Sequence, residues 1–340
     1  MRRALVVEGP GRLALAERPS LEPGAQEVVI RPALCGLCGT DIELRDGAVD
    51  PAFVRYPLTL GHEWSGIVEA VGPGVTGISP GDRAVAECII PCGTCVSCRA
   101  GATNVCETYA ELGFTHEGGA SDQVVVPARL VHVLSPAVSL LDAALVEPTS
   151  VVMRGLEKAT PEPGERVLVI GDGTIGLLAA HLARLWSPAE IVMLGRRPQQ
   201  AALALEAGAT SFTTDDAVAR GFGFVIEAAG VTEAMALGVA AARRGGRVLL
   251  LGLPPTGRVL ELPADLLVNN DLTLAASFGY TSAAWGRVVQ LLNARSIEPG
   301  RIVTHRFALD DYAQAFAALA EADGPRGKVM LEITSPPPSR

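Results

Sequence analysis

The chain has 340 residues, which at ~150 residues per domain corresponds to two domains. Hydrophobic residues make up 49%, charged residues 19% and aromatic residues 4%, enough aliphatic material for sizeable cores, so disorder is excluded. Lys and Arg number 28 against 37 Asp and Glu, a net charge of −9; that field repels a phosphate backbone, and nucleic acid is not an expected partner.

In chain order, the first eleven residues carry two arginines, but their apolar stretch stops at Glu8, too short for a secretory leader. No apolar run approaches the ~20 residues of a membrane-spanning helix. Neither a membrane nor export is expected. Six of the seven cysteines lie between residues 35 and 98. Without a leader, clustered cysteines read as metal ligands before disulfides. The expectation is a cytoplasmic metalloprotein.

Up to about residue 130, short β-type runs at 27–31, 65–71 and 83–86 alternate with Gly- and Pro-rich turns. They predict an irregular, barrel-like β domain. From about residue 150 the runs 167–170, 191–194, 224–228 and 248–251 are separated by Ala- and Leu-rich helical stretches. This alternation predicts an α/β domain, a doubly wound parallel sheet with right-handed crossovers. A helix over about 284–295 and a β–α–β run to Ile333 follow and are expected to rejoin the first domain. The reading gives domains 1–148, 149–279 and 280–340, with a Pro-rich tail at 335–340 expected to fray.

Four cysteines, Cys92, Cys95, Cys98 and Cys106, fall in one Gly-containing lobe at 88–106. Four thiolates at such spacing close a tetrahedral zinc site with no open position, a structural rather than a catalytic site. Cys88 lies outside the spacing and reads as a small buried hydrophobe. A nucleic-acid zinc ribbon is the rival reading, but only Arg99 lies inside the cluster.

The run 167–170 leads into Gly171-Asp172-Gly173-Thr174-Ile175-Gly176 and a helical stretch, 177–186. Strand before and helix after are the context that turns a GxGxxG spacing into a dinucleotide site. The first Gly allows the tight turn, the second the approach of the pyrophosphate, and the third close helix packing. An NAD site places an acid about 20 positions on to accept from the ribose 2′-hydroxyl. Here the second strand ends at Gly195-Arg196-Arg197, and guanidiniums suit a 2′-phosphate. NADP(H) is therefore expected over NAD(H). Ala229, Leu251, Gly252, Ser277 and Phe278 fall at later strand ends, where the nicotinamide is commonly lined.

A second, dispersed cluster is Cys35-Gly-Leu-Cys38-Gly-Thr40-Asp41 followed by Gly61-His62-Glu63. A thiolate, an imidazole and a carboxylate suit a catalytic zinc with one position left for water or substrate. The order Cys-Gly-Thr-Asp, Gly-His-Glu, four cysteines, GxGxxG resembles the zinc-dependent medium-chain dehydrogenases over residues 4–333. The resemblance implies a GroES-like, β-rich catalytic domain, a Rossmann coenzyme domain and two zinc ions per chain. It implies Cys38 and His62 as catalytic zinc ligands, with Glu63 an acid able to approach the metal. Asp41 orients His62, and Thr40 passes the substrate proton onward. Cys35 corresponds to no ligand. The relay often ends in a histidine three positions after the Thr; here that residue is Glu43. Where simple alcohol dehydrogenases place another Cys, this chain has Glu147, similar to the polyol, threonine and aminocyclitol branches, in which that Glu binds zinc directly or through a water.

The expected function is reversible hydride transfer between a secondary alcohol (a polyol, amino-alcohol or aminocyclitol) and NADP(H), in a homodimer or homotetramer. The segment 111–115 loosely resembles the aminocyclitol enzymes. The alternatives are a zinc-free quinone or enoyl reductase, and a non-catalytic NADPH-binding structural or sensor protein. His116, His132, His181 and His305 sit in no motif and read as structural.

Overall fold

The computed structural model describes residues 1–320 and 324–333; the expected fraying of 335–340 lies outside them. The chain divides into two compact units: residues 1–147 with 281–320 and 328–333, and residues 148–280 with 324–327. Residues 324–327, expected with the C-terminal segment of the first domain, group with the second unit instead. No helix among the described residues is long and apolar enough to cross a membrane.

The first unit is β-rich. β1 (Arg2–Gly9) lies between β2 (Arg12–Arg18) and β4 (Leu58–Thr59) in a three-stranded sheet. The larger sheet is organised around β3 (Glu27–Leu37), flanked by β5 (Glu63–Val71) and β16 (Lys328–Glu332), with β7 (Val124–Pro127) also paired to it. β6 (Arg83–Ala86) and β8 (Val131–Val133) extend it beyond β5, and β15 (Val303–Ala308) beyond β16. The three runs read from the sequence lie inside β3, β5 and β6. β3 is longer than its apolar run suggested because Pro32 sits at a register shift, where a strand tolerates the missing donor.

That extra length has a purpose. Lys328, the first residue of β16, is 1% exposed, and its ammonium pairs with Glu63, the first residue of β5, 2% exposed. β3 lies between those two strands, and the residue under the pair is Gly36. A Cβ there would stand 2.7 Å from Lys328 Cε and collide with the Glu63 carboxylate. The glycine is the gap through which the ion pair closes.

The second unit carries six parallel strands in the order β11 (Ser211–Thr213), β10 (Glu190–Leu194), β9 (Arg166–Ile170), β12 (Phe222–Glu227), β13 (Ala242–Leu250), β14 (Thr273–Ala276). The order reverses beside β9, the topological switch point at which such sheets bind ligands. Its core includes Leu168, Ile170, Val225 and Val248, all under 5% exposed.

Removing one partner from a buried ion pair strands the other charge, at a cost of roughly 3–5 kcal/mol. Lys328→Met is therefore expected to lower the melting temperature sharply, and adding Glu63→Gln to recover much of the loss. An unchanged melting curve for Lys328→Met alone would refute a structural role for the pair.

Candidate active site

Cys38 follows β3 and caps the helix Gly39–Asp46. Its N–H donates to Asp41 Oδ2 at 2.9 Å, so the cap turns Asp41 back toward the pocket. His62 precedes β5, placed by Gly61 at φ +104°, where a side chain would run into the Ala120 N–H and the Cys35 sulfur. Cys38 Sγ and His62 Nε2 then face each other at 3.1 Å. Asp41 Oδ1 lies 3.7 Å from His62 Nδ1, and both atoms are buried without a hydrogen bond.

Cys38, Asp41 and His62 offer ligand atoms within 4.8 Å of one another. A tetrahedral zinc sets sulfur and nitrogen ligands about 3.5 Å apart, so the facing thiol and imidazole fit such an ion. The electrostatics agree. Burial opposes a charge on His62, yet Cys38, Asp41 and Glu147 hold its pKa well above the ordinary value. The pocket favours positive charge.

The carboxylates divide by partner. Glu63 faces Lys328 rather than the thiol–imidazole pair. Glu147, at the start of the helix Val146–Lys158, is half-buried, and burial pushes its carboxyl up to about 8, with Glu63 adding to the rise and His62 opposing it. Thr40 is half-buried on the first turn after Cys38, and Glu43 is exposed. Sequence reasoning gave no role to two residues of this pocket. Lys328 carries no motif, and a lysine in a strand normally reads as an edge charge. Glu111 is 8% exposed and its carboxyl is pushed up to about 7 by burial, His62 opposing.

In the cysteine lobe, Cys92, Cys95, Cys98 and Cys106 converge within 4.8 Å, with Cys92 and Cys98 sulfurs 4.0 Å apart. The N–H groups of Thr94 and Cys95 donate to Cys92 Sγ at 3.4 Å. With the Thr94 hydroxyl they bring its thiol down to about 6, while burial and the neighbouring sulfurs push Cys98 up to about 12. Four sulfurs that cannot all ionise side by side are what a dication relieves. Cys88 is 1% exposed and donates to the His62 carbonyl oxygen at 2.7 Å.

The Gly-rich turn follows β9. Gly171 sits at φ +116° against the backbone of Ala228 and Ala229; nothing lies within 4 Å of a Cβ on Gly173; one on Gly176 would strike the Gly171 carbonyl oxygen. Thr174, Ile175 and Gly176 open the helix Thr174–Ala183, with Gly173 as a cap that leaves its N–H groups unmet by any side chain. Gly195, Arg196 and Arg197 follow β10. Asp172 accepts from the N–H groups of both arginines at 3.1 and 3.2 Å and pairs with the Arg197 guanidinium at 3.0 Å. Arg197 is thus held by the Gly-rich turn, whereas Arg196 is exposed. Arg326 is half-buried beside Arg197 and Asp172; burial and Arg197 lower its pKa. Gln200 binds the Asp172 carbonyl at 2.5 Å and the Arg326 carbonyl at 2.9 Å. Ala229, Leu251, Gly252, Ser277 and Phe278 lie just past β12, β13 and β14, and the Glu227 carboxylate fixes the first turn through the Ala229 and Gly230 N–H groups.

Comparison with known proteins matches this layout. The alcohol dehydrogenase GroES-like domain aligns with residues 24–136, and the glucose dehydrogenase C-terminus with 142–324. The chain is 33% identical to an L-threonine 3-dehydrogenase of Streptomyces coelicolor, covering 98% of this chain and all of that protein. It belongs to the zinc-type medium-chain dehydrogenases. A sorbitol dehydrogenase of Halalkalibacterium halodurans is 29% identical over 95% of the chain and 96% of its own length. Among solved structures, a candidate zinc-binding dehydrogenase of Sinorhizobium meliloti with NADP bound superimposes at a TM-score of 0.92, at 29% identity over 98% and 99% of the two chains. A dehydrogenase of Escherichia coli with NADH bound gives 0.90, at 27% identity over 98% and 99%. This dehydrogenase thus joins a GroES-like unit to a Rossmann unit.

Proposed function

We propose that the chain oxidises a secondary alcohol of the polyol, amino-alcohol or aminocyclitol type reversibly with NADP(H), using a zinc held by Cys38, His62 and Glu147, and that a second zinc in the four-cysteine lobe is structural. The observation that supports it most is the Cys38–His62 approach of 3.1 Å beside buried, unpartnered Asp41 and His62 atoms. Zinc there would supply Lewis acidity toward the alcohol oxygen, and a bound nicotinamide would supply the hydride acceptor. Cys38 and His62 hold the metal end of the site, with Asp41 behind His62 to fix its ring. Thr40, two residues after Cys38, accepts the alcohol proton as it releases its own hydroxyl proton onward. Glu63, neutralised by Lys328, stays out of that exchange.

Arg196 and Arg326, with Arg197 tethered to Asp172, read the 2′-phosphate of NADP. The Sinorhizobium neighbour was solved with NADP and the Escherichia one with NADH, so the preference rests on this chain's own arginines. Self-association is supported by β14, whose outer edge pairs with no strand among the described residues and carries Leu274 at 39% exposed, and by Val268 of the preceding helix, 80% exposed.

Three outcomes are expected. Cys38→Ser or His62→Ala abolishes turnover and lowers zinc from two per chain to one, while NADPH still binds; full activity in a Cys38→Ala protein lacking that metal would sink the mechanism. Wild type binds NADPH about tenfold or more tightly than NADH, and Arg196→Ala or Arg326→Ala erodes that ratio, since each guanidinium–phosphate bond contributes roughly 1.5–3 kcal/mol; equal affinities in the wild type would refute the arginine reading. Light scattering should give a dimer or tetramer that Leu274→Asp weakens, and a monomeric wild type would exclude the edge contact.

A further inference from the structure

Against His62 runs a segment that the metal chemistry does not use. Its residue Phe114 stacks its ring 5.2 Å from the imidazole, tilted at 57°. Leu112 N–H donates to the Cys88 carbonyl, and the Cys88 thiol donates to the His62 carbonyl, so the segment is tied to His62. Between these anchors sits Glu111. Its backbone N–H donates to the Thr115 hydroxyl at 2.8 Å, and one carboxylate oxygen accepts from the Tyr109 hydroxyl. The other oxygen accepts no hydrogen bond among the described residues.

A carboxylate in that position has an electrostatic deficit. Its attractive neighbour is His62. Glu147 is near enough to be raised by it. The nearest buried ammonium, Lys328, is committed to Glu63. Burying a carboxyl without a cation is costly unless a ligand completes it. The wall around it is aromatic: Phe53 meets the Tyr109 ring edge-on, centroids 5.1 Å apart at 90°, and Phe53 remains 44% exposed. Arg55, two residues beyond Phe53, ties that wall to the same segment through its N–H on the Phe114 carbonyl at 3.0 Å. One open carboxylate oxygen with aromatic rings beside it is the chemistry that recognises an organic ammonium.

We propose that Glu111 is a specificity-determining residue that binds the ammonium group of an amino-alcohol substrate, with Tyr109 orienting its carboxylate and Phe53 covering the bound group. This rests on the dehydrogenase reading above and narrows its substrate class. A neutral polyol would gain a single hydrogen bond at Glu111, whereas an ammonium also supplies the missing charge.

The test uses the full-length, zinc-loaded chain with two probes that share a ring and differ in one group: trans-2-aminocyclohexanol and trans-1,2-cyclohexanediol. Dissociation constants are measured by calorimetry on the NADPH-loaded protein, and kcat/KM with NADP. Wild type should favour the amine by about tenfold or more, the weight of one charge-assisted hydrogen bond. Glu111→Gln should lower the amine-to-diol ratio by a similar factor at unchanged zinc content and melting temperature, and Glu111→Asp should restore part of it. A ratio near one in the wild type, or one that survives Glu111→Gln, overturns the proposal even if both alcohols are oxidised. A preference for binding the amine that disappears in Glu111→Gln, with neither probe oxidised, upholds the ammonium site and counts instead against the dehydrogenase reading.

Discussion

The catalytic unit depends on one ion pair that crosses a strand. Lys328 and Glu63 open β16 and β5, and they meet over Gly36 of β3. Because His62 immediately precedes Glu63 and Cys38 comes two residues after Gly36, the same closure sets both halves of the proposed metal site. A β-strand places successive side chains on opposite faces, so a shift of one residue in either pairing would move the ion pair or the ligands to the wrong side. The registers Gly36 against Glu63 and Gly36 against Met330 leave no such freedom. The buried lysine also occupies the Glu63 carboxylate, and an acid neutralised by its own ammonium is a poor competitor for a cation.

The second constraint is local and electrostatic. The cap at Cys38 uses Asp41 twice, once through Oδ2 on the Cys38 N–H and once through Oδ1 facing His62. Burial raises the pKa of Asp41, while His62 and the Cys38 N–H lower it again. The fold thus sets an acid behind an imidazole whose other nitrogen faces a thiol, leaving positive charge as the missing component. The cysteine lobe reaches the same condition by another route, with sulfurs crowded in a loop that has little core of its own.

How much of this was legible in the sequence follows from what each residue does. The Gly-rich turn could be read because its glycines act through the backbone: Gly171 needs its left-handed φ, and Gly176 has no room for a Cβ. The four cysteines could be read because their ligand atoms lie close in sequence as well as in space. Lys328 could not, because it is 265 residues from Glu63 and its meaning exists only through a parallel and an antiparallel pairing on either side of it. Arg326 was hidden for the same reason, brought to Asp172 through Gln200. Arg197 was legible as a guanidinium, but not its attachment to Asp172, which makes it part of the Gly-rich turn.

The two units present opposite fields in one acidic chain. Around the Gly-rich turn, Arg196, Arg197 and Arg326 outnumber Asp172, so the local sign is positive against a net charge of −9. Around His62, the acids Asp41, Glu63, Glu111 and Glu147 and the Cys38 thiol outnumber Lys328. Local charge, screened over about 8–10 Å in physiological salt, decides what each site attracts. An anionic dinucleotide is drawn to the first and a metal cation to the second. With the Glu111 and Glu147 carboxyls pushed up to about 7 and about 8, part of that acid charge is held off until a cation arrives.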